Sequence, residues 1–242
     1  QQWYMQILLK TRYNGKLIID EEKLRECVEN LNITLDHCTD GALIADELAK
    51  EGYPAFVGPS LGSKTKIELQ NKSFDTLYIG GGTPSFVKAE FIGACVNRIK
   101  KGFNLSKNAE ITIEINPGTL TEEKVAIYKS VGINRFSIGL QSACYERLAS
   151  LNRIHTAEQF LYACELLKGE NISADVMIGL KDQKTDEIAK TIDLALQGGA
   201  KHISVYALTP EEGTPMFTTY LNGELPDADE TAELYDFTRT YL

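Results

Sequence analysis

The sequence has no apolar run long enough to cross a bilayer, which excludes a membrane-spanning helix as its organising feature. Its first residues, Gln1-Gln2-Trp3-Tyr4-Met5, carry no basic stretch followed by an apolar core. No signal peptide is expected, and a cytosolic location is the expectation. Lysine and arginine form no cluster; 25 basic against 34 acidic residues leave a formal net charge of -9, which argues against nucleic acid as the main partner. A small anionic ligand held by a few placed cations stays compatible with that balance. Cysteine is sparse and scattered: Cys27, Cys38, Cys95, Cys144 and Cys164 are odd in number and widely spaced, unlike a disulfide framework or a zinc site. Reduced, partly buried thiols are the expectation. There is no internal repeat and no low-complexity tract.

What remains is ordinary globular protein, 43% hydrophobic and 24% charged, so a substantial core can be buried. A length of 242 residues suits one large domain or two small ones. From Thr76 onward, strand-like and helix-like segments alternate. Strands are predicted at 76–80, 110–116, 135–140, 172–178 and 202–208, and helices near 85–101, 121–131, 143–150, 156–169, 184–198 and 227–241. A long loop is expected between the last strand and the last helix. Such alternation means βαβ units and a parallel sheet, either a doubly wound sheet or a barrel. In both, chemistry belongs at the carboxyl ends of the strands. The first 75 residues are less regular: 32–36 and 55–58 read as strands, 41–51 as a helix and 60–72 as a polar loop.

The polar residues of interest lie at or near those strand ends. Gly80-Gly81-Gly82-Thr83-Pro84-Ser85 follows a strand and opens a helix; its glycines let backbone approach a ligand closely. The plainer alternative is a tight turn that binds nothing. Glu114 alternates with Ile111, Ile113 and Ile115, so Thr112, Glu114 and Asn116 share a face. A carboxylate there needs a partner, with an internal salt bridge as the structural alternative. Gln141 directly follows a strand, and its amide can both donate and accept. Arg153, between two helices, could clamp a carboxylate in a bidentate manner or sit on the surface. Asp175 stands mid-strand among apolar neighbours, unusual for an acid. His155 and His202 are isolated and read as structural, and Pro210–Pro215 reads as a turn or rim loop.

Taken in order, Tyr78–Ser85, Ile111–Gly118, Gly132–Ser142, Arg153–Thr156, Asp175–Leu180 and Tyr206–Pro215 resemble the oxygen-independent coproporphyrinogen III oxidase-like radical-SAM proteins, including their heme-chaperone branch. The resemblance covers about residues 74–242. It implies a parallel (β/α) barrel or partial barrel that binds S-adenosylmethionine. Gly81, Gly82 and Thr83 would line the site at the methionine end, with Glu114, Gln141, Arg153 and Asp175 as further contacts. Arg153 would suit the carboxylate; Gln141 and Asp175 would suit the ribose hydroxyls. The family's chemistry is reductive cleavage of S-adenosylmethionine by a [4Fe–4S] cluster, giving a 5′-deoxyadenosyl radical. The implied partner is a porphyrin or heme, with the electron donor left open. The family's cluster cysteines, C-x3-C-x2-C, have no counterpart in this sequence. Asn152 stands where the family often has glycine, and Lys181-Asp182 where it usually has Pro-Gly.

Residues 31–73 resemble something else. Leu35–Gly52, Val57–Ser63 and Lys66–Leu69 are similar to an internal piece of an imidazolonepropionase-like amidohydrolase, in which His37 would be a metal ligand. The expected division is therefore 1–73 and 74–242, with the amidohydrolase reading as a remote functional alternative.

Overall fold

The computed structural model describes residues 73–242 and the backbone of three short strands, Gln6–Lys10 (β1), Arg12–Tyr13 (β2) and Lys16–Leu17 (β3). The expected elements between 32 and 72, His37, Cys27 and Cys38 lie outside the described residues. The remaining elements in chain order are Ser73–Gly80 (β4), Ala89–Gly102 (α1), Asn104–Ile115 (β5), Glu122–Ser130 (α2), Arg135–Gln141 (β6), Tyr145–Ser150 (α3), Ala157–Leu166 (α4), Asn171–Ile178 (β7), Thr185–Gln197 (α5), His202–Ala207 (β8), Pro215–Leu221 (α6) and Ala228–Tyr241 (α7). The strand order β1-β4-β5-β6-β7-β8 is sequential from β4 onward. The pairs β4/β5 and β7/β8 are parallel and β1/β4 is antiparallel. The expected α/β class with helical crossovers is what forms.

The chain divides into two compact units, Gln1–Ile115 with Thr121–Phe136, and Asn116–Leu120 with Ser137–Leu242. In the first, Phe74, Leu77 and Ile79 of β4 and Ile111, Ile113 and Ile115 of β5 are buried. The buried Ile92, Val96 and Ile99 of α1 recur at helical spacing, which turns one stripe of that helix inward. Each fully buried isoleucine contributes about 1.5–3 kcal/mol of transfer free energy. Phe74 and Phe103 meet edge to face at 5.7 Å. Asn134 docks the start of β6 on β5: its Oδ1 accepts from Ile111 N–H at 2.8 Å and its Nδ2 donates to the Ala109 carbonyl at 2.9 Å. In the second unit, Ile178, Ile188 and Ile192 form a buried cluster, against which Ile203, Val205, Leu234 and Phe237 pack. This fastens α5 and α7 over β7 and β8.

Three expected elements differ. The helix predicted from Ser85 starts at Ala89, after a 3₁₀ turn at Pro84–Phe86. Phe86 and Val87 N–H bond three residues back, to the Thr83 and Pro84 carbonyls, and the Ser85 carbonyl accepts from the Lys124 ammonium. β5 begins at Asn104, ahead of the predicted 110, because Ser73 and Phe74 pair with Asn104 and Leu105, before a register shift that precedes Thr76. The expected loop after β8 contains α6. Thr214 caps it by accepting from Phe217 N–H, and Pro215 is its first residue.

Candidate functional site

In the first unit the site is built on the end of β4. Gly81 and Gly82 have φ of 84° and 60°, a left-handed pair that glycine reaches without cost. Gly80 is required for a different reason. A Cβ there would lie 2.6 Å from Tyr78 Cε1 and 2.7 Å from Glu114 Oε1. Glu114 explains the crowding. Its Oε1 accepts from the Tyr78 hydroxyl at 2.8 Å and its Oε2 from Gly81 N–H at 2.9 Å. The carboxylate therefore braces the glycine turn through a hydroxyl and a backbone amide, and each oxygen keeps a lone pair for a further donor. Thr83 makes no side-chain cap to the 3₁₀ turn, whose first bond runs from Phe86 N–H to the Thr83 carbonyl at 2.9 Å.

In the second unit the polar groups stand on β6, β7 and β8, with Gln141 at the end of β6, Asp175 within β7 and Tyr206 near the end of β8. β6 closes in a three-residue turn: Ser142 N–H donates to the Leu140 carbonyl at 2.8 Å, with Gln141 at its centre at φ 64°. Such a γ-turn with positive φ is rare and strained, and strain of this kind persists only where surrounding contacts enforce it. Two contacts do so. His155 Nε2 donates to the same Leu140 oxygen at 3.1 Å, and Tyr206 of β8 donates from its hydroxyl to Gln141 Oε1 at 3.0 Å. The Gln141 side chain is buried. On β7, both carboxylate oxygens of Asp175 lie in reach of the Ser137 hydroxyl, at 3.0 and 3.1 Å.

Arg153 is placed by helix termination. After α3, Asn152 N–H donates to the Ala149 carbonyl and Arg153 N–H to that of Leu148, with Asn152 at φ 53°. This is a Schellman end with asparagine in the left-handed position, the second-best residue there after glycine. The chain leaves it with Arg153 half-buried. Among the described residues no carboxylate pairs with its guanidinium. Two residues on, burial holds the His155 imidazole below its ordinary value, with the Arg153 charge adding to the effect and the Leu140 carbonyl opposing it. Since a carbonyl only accepts, Nε2 carries the proton and Nδ1 is left as a buried atom without a partner among the described residues.

The other departure from the family pattern behaves in the same way. Leu180-Lys181-Asp182-Gln183 is a β-turn closed by Gln183 N–H on the Leu180 carbonyl at 3.1 Å, with Asp182 at φ 53° in its third position. Pro-Gly would suit that geometry, and aspartate tolerates it. Arg147 spans the region, donating to both Glu187 oxygens at 2.8 and 3.0 Å and to the carbonyls of Lys181 and Asp182.

The structure thus joins Gly81 to Glu114 in one unit, and sets Gln141, Arg153 and Asp175 on neighbouring elements of the other. Sequence reasoning gave no role to Tyr78, Ser137 or Tyr206. For Tyr206 a signal existed: His202, Ser204 and Tyr206 alternate with Ile203, Val205 and Ala207 along β8, marking a polar face.

The described residues do not fit an iron–sulfur cluster. Cys95 and Cys164 are buried, and burial pushes their thiols up to about 11 and about 12, whereas ligation needs thiolates. Among the described residues no group of three histidine, cysteine or acidic side chains could hold a metal ion. No helix among them is long and apolar enough to cross a membrane.

Residues 64–195 match the family model described as the radical SAM superfamily. The heme chaperone HemW of Haemophilus influenzae is 37% identical over 174 residues, 71% of this chain and 45% of that protein. The mouse radical S-adenosyl methionine domain-containing protein 1, mitochondrial, is 34% identical over 173 residues, 69% of this chain and 39% of that protein. Among solved structures, the coproporphyrinogen III oxidase HemN of Escherichia coli superposes with a TM-score of 0.62 at 20% identity, covering 74% of this chain and 42% of that one. That likeness shows the fold, the partial (β/α) barrel of radical SAM proteins. The chain spans less than half the length of these relatives. It belongs to the radical SAM superfamily, in the oxygen-independent coproporphyrinogen III oxidase-like group that includes the heme chaperones.

Proposed function

We propose that residues 74–242 are the S-adenosylmethionine-binding core of a heme-handling protein of the chaperone branch, joined to a segment, 1–73, of other origin. What supports the binding assignment is the chemistry of the groups within each unit, the glycine turn braced by Glu114 in the first and Gln141, Arg153 and Asp175 in the second. Arg153 is a half-buried cation without a carboxylate partner among the described residues and suits the ligand's carboxylate. Glu114 suits its ammonium group, Asp175 and Gln141 its ribose hydroxyls, and the main chain at Gly81, Gly82 and Thr83 its methionine end. S-adenosylmethionine would supply a sulfonium-activated adenosyl group; the protein's own share is to hold that group in a fixed orientation. The C-x3-C-x2-C spacing of the family's cluster is missing from this sequence, so the proposal is confined to binding.

The names of the curated relatives favour heme handling over porphyrinogen oxidation, which is the second reading. The cytosolic location expected from the sequence is proposed with either reading. Titration calorimetry with S-adenosylmethionine tests the site: Arg153→Ala and Asp175→Ala are expected to lose about tenfold to hundredfold in affinity, the worth of a hydrogen bond to a charged group. Unchanged affinity in both folded variants would overturn the assignment. Hemin titration followed by absorbance separates the two functional readings: saturable 1:1 binding supports the chaperone branch, and no binding removes it.

A further inference from the structure

We infer that Tyr206 is a positioning residue that turns the Gln141 amide so that its nitrogen, and not its oxygen, faces the ligand. The inference rests on Gln141 being a ligand contact and adds what that contact is. A glutamine amide has an acceptor end and a donor end, and a half-turn exchanges them. Here three constraints act on one side chain. Its backbone is locked in the γ-turn by Ser142 N–H on the Leu140 carbonyl. That carbonyl is held from outside the turn by His155 Nε2. The side-chain oxygen then accepts from the Tyr206 hydroxyl at 3.0 Å, across 65 residues of sequence. With Oε1 turned to the Tyr206 hydroxyl, the end of the Gln141 amide that faces away from Tyr206 is Nε2 with its hydrogens. The ligand atom it meets is then an acceptor, such as a ribose hydroxyl oxygen. A group held in advance binds without the entropy cost of being ordered by the ligand. Tyr206 fits this role by position: it lies on the polar face of β8, opposite Met177 in the β7 register, two residues beyond the Asp175–Ser204 pair.

The test compares wild type, Gln141→Ala, Gln141→Glu and Tyr206→Phe by calorimetry. The probes are S-adenosylmethionine, adenosine, 2′-deoxyadenosine and 3′-deoxyadenosine, with circular dichroism as the check on folding. Tyr206→Phe is expected to weaken S-adenosylmethionine by about threefold to tenfold, one neutral hydrogen bond, and to shrink the preference for adenosine over a deoxyadenosine as far as Gln141→Ala does. Gln141→Glu, which keeps acceptors and loses the donor, is expected to bind no better than Gln141→Ala. If Gln141→Ala weakens binding but Tyr206→Phe changes neither affinity nor preference, positioning by Tyr206 is overturned alone. Equal weakening of all four ligands in Tyr206→Phe overturns it too, since that marks a packing role. If Gln141→Ala is silent, Gln141 is not a ligand contact, and both that assignment and this inference fall.

Discussion

His155 Nε2 donates to the Leu140 carbonyl at 3.1 Å, the same oxygen that closes the strained turn at Gln141. One buried imidazole therefore links the segment carrying Arg153 to the turn carrying Gln141. Protonation would place a charge in a buried site next to Arg153 and a new N–H at Nδ1 with no acceptor among the described residues.

This makes stability depend on pH in a defined sense. The folded-state pKa of His155 lies below its ordinary value of 6.5, so under acidic conditions the unfolded chain takes up a proton that the folded chain refuses. The contribution of the neutral imidazole is complete above pH 6.5 and is lost as pH falls from there through the lower folded value. Urea melts from pH 8 to pH 5 should show the decline, and His155→Gln should flatten it. An identical decline in the variant would assign it to other groups.

Asn152 and Asp182 both occupy left-handed backbone, at φ 53°. Replacing either by glycine removes the Cβ conflict and is expected to stabilise by a few tenths of a kcal/mol to about 1 kcal/mol, whereas alanine at 152 should cost about 1 kcal/mol. Opposite signs for Asn152→Gly and Asn152→Ala in chemical denaturation would establish the point. Equal effects would deny it.

Gly80→Ala drives a methyl group to within 2.6 Å of the Tyr78 ring and 2.7 Å of the Glu114 carboxylate. Both must move, at a cost of about 1–3 kcal/mol, and the brace on the Gly81 amide opens. Adding Tyr78→Ala should return part of the lost stability, because the ring is one of the two obstacles. Strict additivity of the two changes would show that the clash is relieved elsewhere.

Arg147 and Glu187 form a mostly buried bidentate pair, with 19% and 21% of their side chains exposed. Arg147→Ala leaves that carboxylate and the turn carbonyls at 181 and 182 without their donor, for an expected loss of about 2–3 kcal/mol after allowing for partial solvent screening. Lysine should recover little, since it cannot serve four acceptors in one plane. A double-mutant cycle with Glu187→Gln should give a coupling above about 0.5 kcal/mol; near-zero coupling would reduce the pair to a surface contact.

By itself the sequence determined the βαβ order and the strand ends on which the polar residues stand. Apolar periodicity and capping residues such as Thr121, Thr156 and Asp227 act within a few positions of one another. The α6 helix was not read from the sequence, where its composition reads as loop; the Thr214 cap and Pro215 start it in the structure. The tertiary structure decided the rest. The polar start of β5 becomes strand only because β4 pairs with it. Ser137 meets Asp175 across 38 positions and Tyr206 meets Gln141 across 65. The left-handed turn at Gln141 runs against local preference and exists because His155 and Tyr206 hold it from afar. Local preference is written along the chain; an enforced, strained contact is written only in what packs around it.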